Sequence, residues 1–248
     1  MSRRIQIIIL IFVVLIGIRV FLIYRERNAP APAQKQAAPN PNLSADDYVV
    51  PTQVHAYDLK SAKEALDGKT VWVKAGNQVY YYPYASGRVD FRHAAGLLPP
   101  LDKLEISNVV QATSPEAKPE EVAPGVRVRA EQVLAVFHRG DDKKTYAAPI
   151  GGNRGGDYNL YINDTFFVDD PHELYKHWPA DIWNAIGEHQ AKQGMSELQV
   201  AMALGVGIPQ GSGGEYGNRT IQYDNNGHPV KVTFEHNRAT SVQNGAGS

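Results

Sequence analysis

The chain of 248 residues contains no cysteine, so disulfide bonds, thiol catalysis and a lipid-modified cysteine are all excluded. It also lacks an excess of basic residues. From Ser44 onward there are 19 lysines and arginines against 25 acidic residues, a net charge of −6. Because nucleic-acid-binding domains usually carry a strongly basic surface, we expect no nucleic-acid partner.

Recognisable catalytic motifs are missing as well. The glycine-rich residues 151–156 lack the Lys-Ser/Thr pair of a phosphate-binding loop, and no G-x-S-x-G pattern surrounds Ser212. Residues 169–179 are rich in acids and histidines, but His172 and His177 are five positions apart, whereas a helical zinc motif needs four. We therefore predict no catalytic residue, no metal ligand and no cofactor.

One long apolar run is present, at residues 5–24. Twenty helical residues at about 1.5 Å each span about 30 Å, the hydrocarbon thickness of a bilayer. The run predicts a single transmembrane helix that anchors the protein in the inner membrane. A cleaved signal peptide is the alternative, because Arg3 and Arg4 precede a strictly apolar stretch of only about twelve residues. The predicted anchor residues are Ile5, Ile9, Val13, Ile16, Val20 and Tyr24.

The short leader before this run favours translocation of everything that follows, so we expect a periplasmic or otherwise extracytoplasmic body. Composition divides the chain further, because a Pro/Ala-rich stretch that cannot bury apolar surface separates the run from the body. The predicted organisation is a membrane anchor at 1–27, a linker at 28–46, a β-rich domain at 47–170, an α+β module at 171–244 and a tail at 245–248.

The β-rich domain is predicted from short runs of β-branched and aromatic residues separated by turn-forming residues. Gly76-Asn77 lies between two of these runs, which is typical of a two-residue hairpin. The spacing favours a sandwich or a small SH3-like or OB-like barrel, and patterning alone does not choose between them. Together with the module that follows, we predict the α+β fold class.

Tyrosines form the first candidate interaction site. Because successive side chains of a strand point to opposite faces, Tyr80, Tyr81 and Tyr82 must place at least one ring on each face. One face belongs to the core and the other is a candidate surface for a partner or ligand. We assign Tyr80 and Tyr82 to partner binding.

The second candidate interaction site is the pair Tyr175 and Trp178, which either forms an exposed contact patch or packs between the domains. The surrounding residues predict local structure, with Asp170 as a helix N-cap, Pro171 at the first helical position and Pro179 starting the next helix.

Residues 194–209 read Gly-Met-Ser-Glu-Leu-Gln-Val, then Ala-Leu-Gly and a proline. This pattern resembles the signature of the SmpA/OmlA (BamE-like) family of small outer-membrane assembly lipoproteins. The resemblance implies two helices followed by a three-stranded meander, here at 220–223, 230–234 and 239–242. It also implies a scaffold that binds other proteins without catalytic machinery. Unlike family members, this chain has no cysteine to lipidate.

These observations predict a non-catalytic, single-pass membrane protein of the bacterial cell envelope that acts as a protein-binding or assembly factor. Its expected partners are the lipid bilayer, through the N-terminal helix, and other envelope proteins. Two alternatives stay open: a membrane-tethered hydrolase using His172, Glu173 or His177, and a sensor domain that holds a small ligand among the tyrosines.

Overall fold

The computed structural model describes residues 44–123, 126–211 and 214–245. The described residues from Ala45 onward belong to one compact unit. A short 3₁₀ turn at Ala45–Tyr48 precedes the regular elements. The helices are α1 Leu59–Leu66, α2 Ile162–Thr165, α3 Pro171–Leu174, α4 Ala180–Gly187 and α5 Glu197–Leu204.

Fifteen strands account for most of the regular structure in these ranges. They are β1 Thr70–Val73, β2 Tyr80–Ala85, β3 Arg88–Val89, β4 Gly96–Leu97, β5 Lys103–Ala112, β6 Pro119–Ala123, β7 Val126–Arg129, β8 Glu131–Arg139, β9 Tyr146–Arg154, β10 Asp157–Leu160, β11 Phe166–Phe167, β12 Ile208–Pro209, β13 Thr220–Tyr223, β14 Val230–Glu235 and β15 Arg238–Asn244.

The predicted fold class, α+β with an N-terminal transmembrane helix, is wrong. Strands make up 39% of the structure and helices 18%, so the protein is dominated by β-sheet. The longest described helices have eight residues, about 12 Å, and no described helix is both long and apolar enough to cross a membrane. The predicted span at residues 5–24, with its anchor residues, lies outside the described ranges, and the single-pass interpretation is withdrawn.

A nine-stranded antiparallel sheet occupies the first part of the unit. Its main path runs in the order β11-β1-β5-β8-β9-β2-β3, with β10 paired to β9 and β4 paired to β2. The longest pairing joins β5 to β8, from Leu104 opposite Arg139 to Ala112 opposite Gln132, with one irregularity beside Ser107. This connectivity sets β8 and β9 at the centre of the sheet.

The hairpin predicted at Gly76-Asn77 is wrong, because β1 pairs with β5 and β11 and not with β2. Instead, the turn at Gly76-Asn77 packs against distant parts of the chain. An added Cβ on Gly76 would lie 2.4 Å from Pro100 Cα, and the Asn77 side-chain amide donates to the carbonyl of Leu204 at 2.9 Å. The glycine therefore allows close approach to a distant loop, and the asparagine binds the last turn of α5.

The helix caps were largely predictable because they depend on local sequence. Asp170 accepts a hydrogen bond from the backbone of His172, with Pro171 at the first helical position, as predicted. Ser196 and Gln199 form a capping box at the start of α5, and Gly205 is the C-cap of that helix.

Strands β6 and β7 form a separate two-stranded sheet, and β12-β13-β14-β15 form a four-stranded antiparallel sheet onto which α4 and α5 pack. Two separate apolar cores result. One lies between α1 and the inner face of the large sheet, and the other lies between the C-terminal helices and the small sheet. Trp72 and Leu101 from the first part of the unit pack against the second core. The domain boundary at residue 170 stays a prediction.

The second core contains one polar atom without a partner among the described residues, the hydroxyl oxygen of Tyr223. The ring is buried, and burial raises the pKa of this hydroxyl far above its usual value. Because an unsatisfied buried hydroxyl costs free energy, we expect Tyr223→Phe to raise the free energy of unfolding by about 1 kcal/mol. Urea denaturation followed by circular dichroism measures this change. Tyr57→Phe, at an exposed position, should change stability by less than about 0.5 kcal/mol. A loss of stability in Tyr223→Phe would show that the hydroxyl is satisfied.

Candidate functional site

The tyrosines of β2 divide between the two faces of the large sheet, as their alternation predicts. Tyr81 lies on the inner face, within the first core. Its neighbour Tyr80 is 53% exposed, and Tyr82 is half-buried on the opposite face. Tyr84, two positions further along, shares that face with Tyr82. The sequence argument that one ring must point away from the core is therefore confirmed.

An aromatic platform, defined here as Tyr80, Tyr82, Tyr84 and Phe91, lies on this outer face. The rings of Tyr82 and Phe91 meet edge to face with their centroids 5.3 Å apart. Beneath the platform lies a third apolar cluster that belongs to neither main core. Its fully buried members are Leu134, Val136 and Ala147, and its half-buried members are Tyr84, Val89, Phe91, Val110 and Ala112.

Strand pairing explains why these residues gather. Tyr82 lies opposite Ala147, Ala147 lies opposite Val136, and Val110 lies opposite Leu134. The central strand β8 is therefore apolar on both faces, with five consecutive buried residues from Val133 to Phe137. An antiparallel sheet that has one face in water usually carries polar residues on that face. The outer face of this sheet is apolar instead around Leu134, Val136 and Ala147.

The other predicted partner-binding pair is not on the surface. Tyr175 is 4% exposed and Trp178 is 6% exposed, so the exposed-patch interpretation is wrong for both. Their rings stack with centroids 4.4 Å apart, and Trp178 also meets Trp183 at 5.3 Å. The indole Nε1 of Trp178 donates to Asp46 at 2.6 Å. Both rings belong to the second core, and the alternative interpretation, packing between the domains, stays a prediction.

The three residues of the hydrolase alternative have separate surroundings. His172 stacks on Trp183 with ring centroids 4.1 Å apart, and its Nδ1 lies 3.2 Å from Asp170. His177 contacts Asp46 through Nε2 at 2.6 Å, whereas Glu173 is exposed to solvent. None of these contacts joins one of the three residues to another, so they do not form a general acid–base pair in the described structure.

A polar groove, absent from the sequence-based predictions, lies where the large sheet meets the C-terminal elements. It consists of two adjoining clefts of about 610 and 380 Å³ that share Pro99, Pro100, Arg139 and His189. Arg139 is the last residue of β8, and His189 follows the end of α4. The larger cleft continues along Asn225, Asn226 and His228, in the turn between β13 and β14.

Arg139 is the central charge of this groove. Its Nε donates to Asp102 in a short ion pair, and its Nη1 donates to the hydroxyl of Tyr81 at 3.2 Å. Burial raises the pKa of Asp102 despite the neighbouring guanidinium. Burial opposes ionisation of Arg139 as well, yet the attraction of Asp102 raises the pKa of the guanidinium. The guanidinium of Arg139 therefore stays positively charged.

The imidazole ring of His189 also lines the groove, and a backbone contact determines its tautomer. Its Nδ1 lies 3.1 Å from the carbonyl oxygen of Ala203, and because a carbonyl only accepts, Nδ1 carries a proton. Nε2 has no hydrogen-bond partner within residues 44–123, 126–211 and 214–245. The same ring also lines a third cleft of about 370 Å³ beside Val230.

Sequence reasoning missed the groove because its residues come from five distant segments. Arg139 ends a strand whose sequence predicts a buried strand and no functional role. His189 follows a helix, and no functional motif surrounds it in the sequence. The adjacent prolines at 99 and 100 are a loop signal, but nothing in the sequence places them beside residue 189. No grouping of acids, histidines and cysteines in the described residues has the geometry of a metal site.

No protein-family model, no curated protein and no solved structure matches this chain. The aromatic platform and the polar groove are therefore interpreted from their own chemistry.

Proposed function

We propose that this protein is a non-catalytic binding protein that docks a partner protein on the aromatic platform. The observation that carries the proposal is the apolar outer face of the large sheet, where half-buried aromatic rings cover a third apolar cluster. Apolar patches of this kind on a protein surface mark sites of interaction. Tyrosine suits such a surface because its ring packs against apolar groups while its hydroxyl stays hydrated.

Sheet geometry also supports a protein partner over a small ligand at this position. The platform is the face of strands and the loop beside them, and Tyr80 projects from it with more than half of its surface exposed. None of the three described clefts is lined by Tyr80, Tyr82, Tyr84 or Phe91. Broad aromatic surfaces suit protein contacts.

The resemblance of residues 194–209 to small assembly lipoproteins adds independent support. The resemblance implied two helices followed by antiparallel strands, and residues 180–244 contain that order of elements. On this proposal the partners are other proteins of the cell envelope, and the role is assembly or scaffolding.

Photocrosslinking in living cells tests the platform. We expect a photoreactive phenylalanine analogue at Tyr80 to form a discrete crosslinked species with one protein. The same analogue at Tyr57, which is 79% exposed and lies before α1, is the matched control and should not form that species. Adding Phe91→Ala, which removes the ring that packs on Tyr82, should weaken the Tyr80 crosslink several-fold. Equal patterns from positions 80 and 57, or no crosslink from either, would contradict the proposal.

A further inference from the structure

The groove around Arg139 contains donor capacity that the fold does not use. In the described part of the chain, Nε and Nη1 of Arg139 have partners, whereas Nη2 has none. About a third of the side chain is accessible, so the guanidinium reaches the groove. Nη2 carries two N–H donors, and a guanidinium donor forms a strong, charge-assisted hydrogen bond with a carboxylate.

The apolar side chains next to Arg139 determine which chemical group can lie beside such a carboxylate. The smaller cleft extends from Arg139 along Leu101, Trp183 and Ile186, three apolar side chains that pack at the edge of the second core. Pro99 and Pro100 form the wall that the two clefts share. A charged end at the guanidinium and an apolar group in the smaller cleft would therefore fit at the same time.

The charges nearby disfavour a doubly charged anion. Arg139 is already paired with Asp102, and Lys103 and Glu188 line the clefts with opposite signs. The formal charge of these four groups is zero, so a doubly charged phosphate would meet Asp102 and Glu188 without enough compensation. A monocarboxylate carries only one charge and needs only the unpaired Nη2 of Arg139. The same residues disfavour a metal cation, because the guanidinium repels it.

We propose that the polar groove is a binding site for a monocarboxylate that carries an apolar group. The carboxylate accepts a hydrogen bond from Nη2 of Arg139, and the apolar group occupies the smaller cleft beside Leu101, Trp183 and Ile186. The terminal carboxylate of a peptide that ends in an apolar residue and a free acylated amino acid present this same chemistry. The site is separate from the aromatic platform, so the two proposals stand or fall independently.

Isothermal titration of the purified full chain with four probes tests the site. N-acetyl-leucine carries both required groups, N-acetyl-leucinamide lacks the charge, acetate lacks the apolar group, and inorganic phosphate carries the wrong charge. We expect N-acetyl-leucine to bind at least about tenfold more tightly than each of the other three. A pentapeptide that ends in leucine distinguishes the sources: tighter binding than N-acetyl-leucine assigns the site to peptide termini, and weaker binding assigns it to free carboxylates. Equal binding of N-acetyl-leucine and its amide, or preference for phosphate, would overturn the proposal.

Variants locate the binding event. Arg139→Lys keeps the charge beside Asp102 but removes the planar fork, and we expect it to weaken N-acetyl-leucine binding about tenfold. Trp183→Leu should weaken the binding of N-acetyl-leucine and leave the affinity for acetate unchanged, so the ratio of the two affinities should fall. Arg92→Gln, at an exposed position outside both clefts, is the control and should bind like the unmodified chain. Circular dichroism confirms that each variant is folded. Unchanged affinity in a folded Arg139→Lys variant would place the ligand elsewhere and contradict the assignment.

Discussion

Trp178→Ala is expected to lower the free energy of unfolding by about 4 kcal/mol, the upper part of the range for removing a large buried aromatic ring. The indole ring is almost entirely buried and stacks on Tyr175, and its N–H is bonded to Asp46. The substitution therefore removes ring packing and leaves a cavity in the second core. It also removes a hydrogen-bond donor from the carboxylate of Asp46. Urea denaturation of the full chain, followed by far-ultraviolet circular dichroism, measures the loss.

Two further variants separate these contributions. Trp178→Phe keeps a smaller ring in the core and loses the bond to Asp46, so its cost should be about 2 kcal/mol, well below that of Trp178→Ala. Tyr57→Ala removes an aromatic side chain from an exposed position and should change stability by less than about 0.5 kcal/mol. A loss below about 1 kcal/mol for Trp178→Ala would mean that the ring is free in solution, and the exposed-patch interpretation would return.

Arg219→Met is the second substitution with a large expected effect. Glu197 lies in the first turn of α5 with 4% of its surface exposed, and both its carboxylate oxygens accept hydrogen bonds. Arg219 donates to one oxygen through Nε at 3.1 Å and through Nη2, while the backbone of Gly217 donates to the other at 2.8 Å. Removing the guanidinium leaves a buried carboxylate with one remaining donor. Breaking such a pair costs about 3 to 5 kcal/mol.

The double variant identifies the cause of that loss. Glu197→Gln with Arg219→Met removes both charges, so no unpaired buried charge remains, and we expect it to be more stable than Arg219→Met alone. Lys60→Met is the control, since Lys60 and Glu64 form an ion pair whose side chains are largely exposed, and its cost should stay below about 0.5 kcal/mol. If Arg219→Met and Lys60→Met had equal effects, the Glu197 pair would be irrelevant to stability.

Tyr216 is coupled to the same ion pair, since its ring lies 5.7 Å from the guanidinium carbon of Arg219. Loss of hydration around the hydroxyl, with a smaller contribution from Glu197, raises the pKa of Tyr216, although 56% of the residue is exposed. The phenol therefore stays protonated at physiological pH. The loop before β13 is closed on the small sheet by this contact and by Gly217, where an added Cβ would lie 3.0 Å from Asn237.

The local part of the fold followed from the sequence. The predicted strands at 220–223, 230–234 and 239–242 correspond to β13, β14 and β15, because alternation and turn residues are encoded within a few positions. The start of α1 is local in the same way. The Asp58 side chain caps the helix by accepting a hydrogen bond from the backbone of Ser61, the third helical residue.

Strand pairing was much less predictable than strand position. Gly76-Asn77 has the composition of a hairpin turn, yet β1 and β2 lie on different sides of the main sheet path. The reason is that Val71 and Val73 bury their side chains against β5, and this long-range packing outweighs the local preference of two turn residues.

The sequence by itself determined which residues form strands and helix caps, and that Tyr80 and Tyr82 share a face. These properties depend on the period of two along a strand and on side chains within three positions of a helix end. Only the tertiary structure decided that Tyr175 and Trp178 are buried, that the outer sheet face is apolar, and that Arg139 lies beside His189. Those outcomes depend on which distant segments come into contact, and contact energies between residues a hundred positions apart leave no local pattern in the chain.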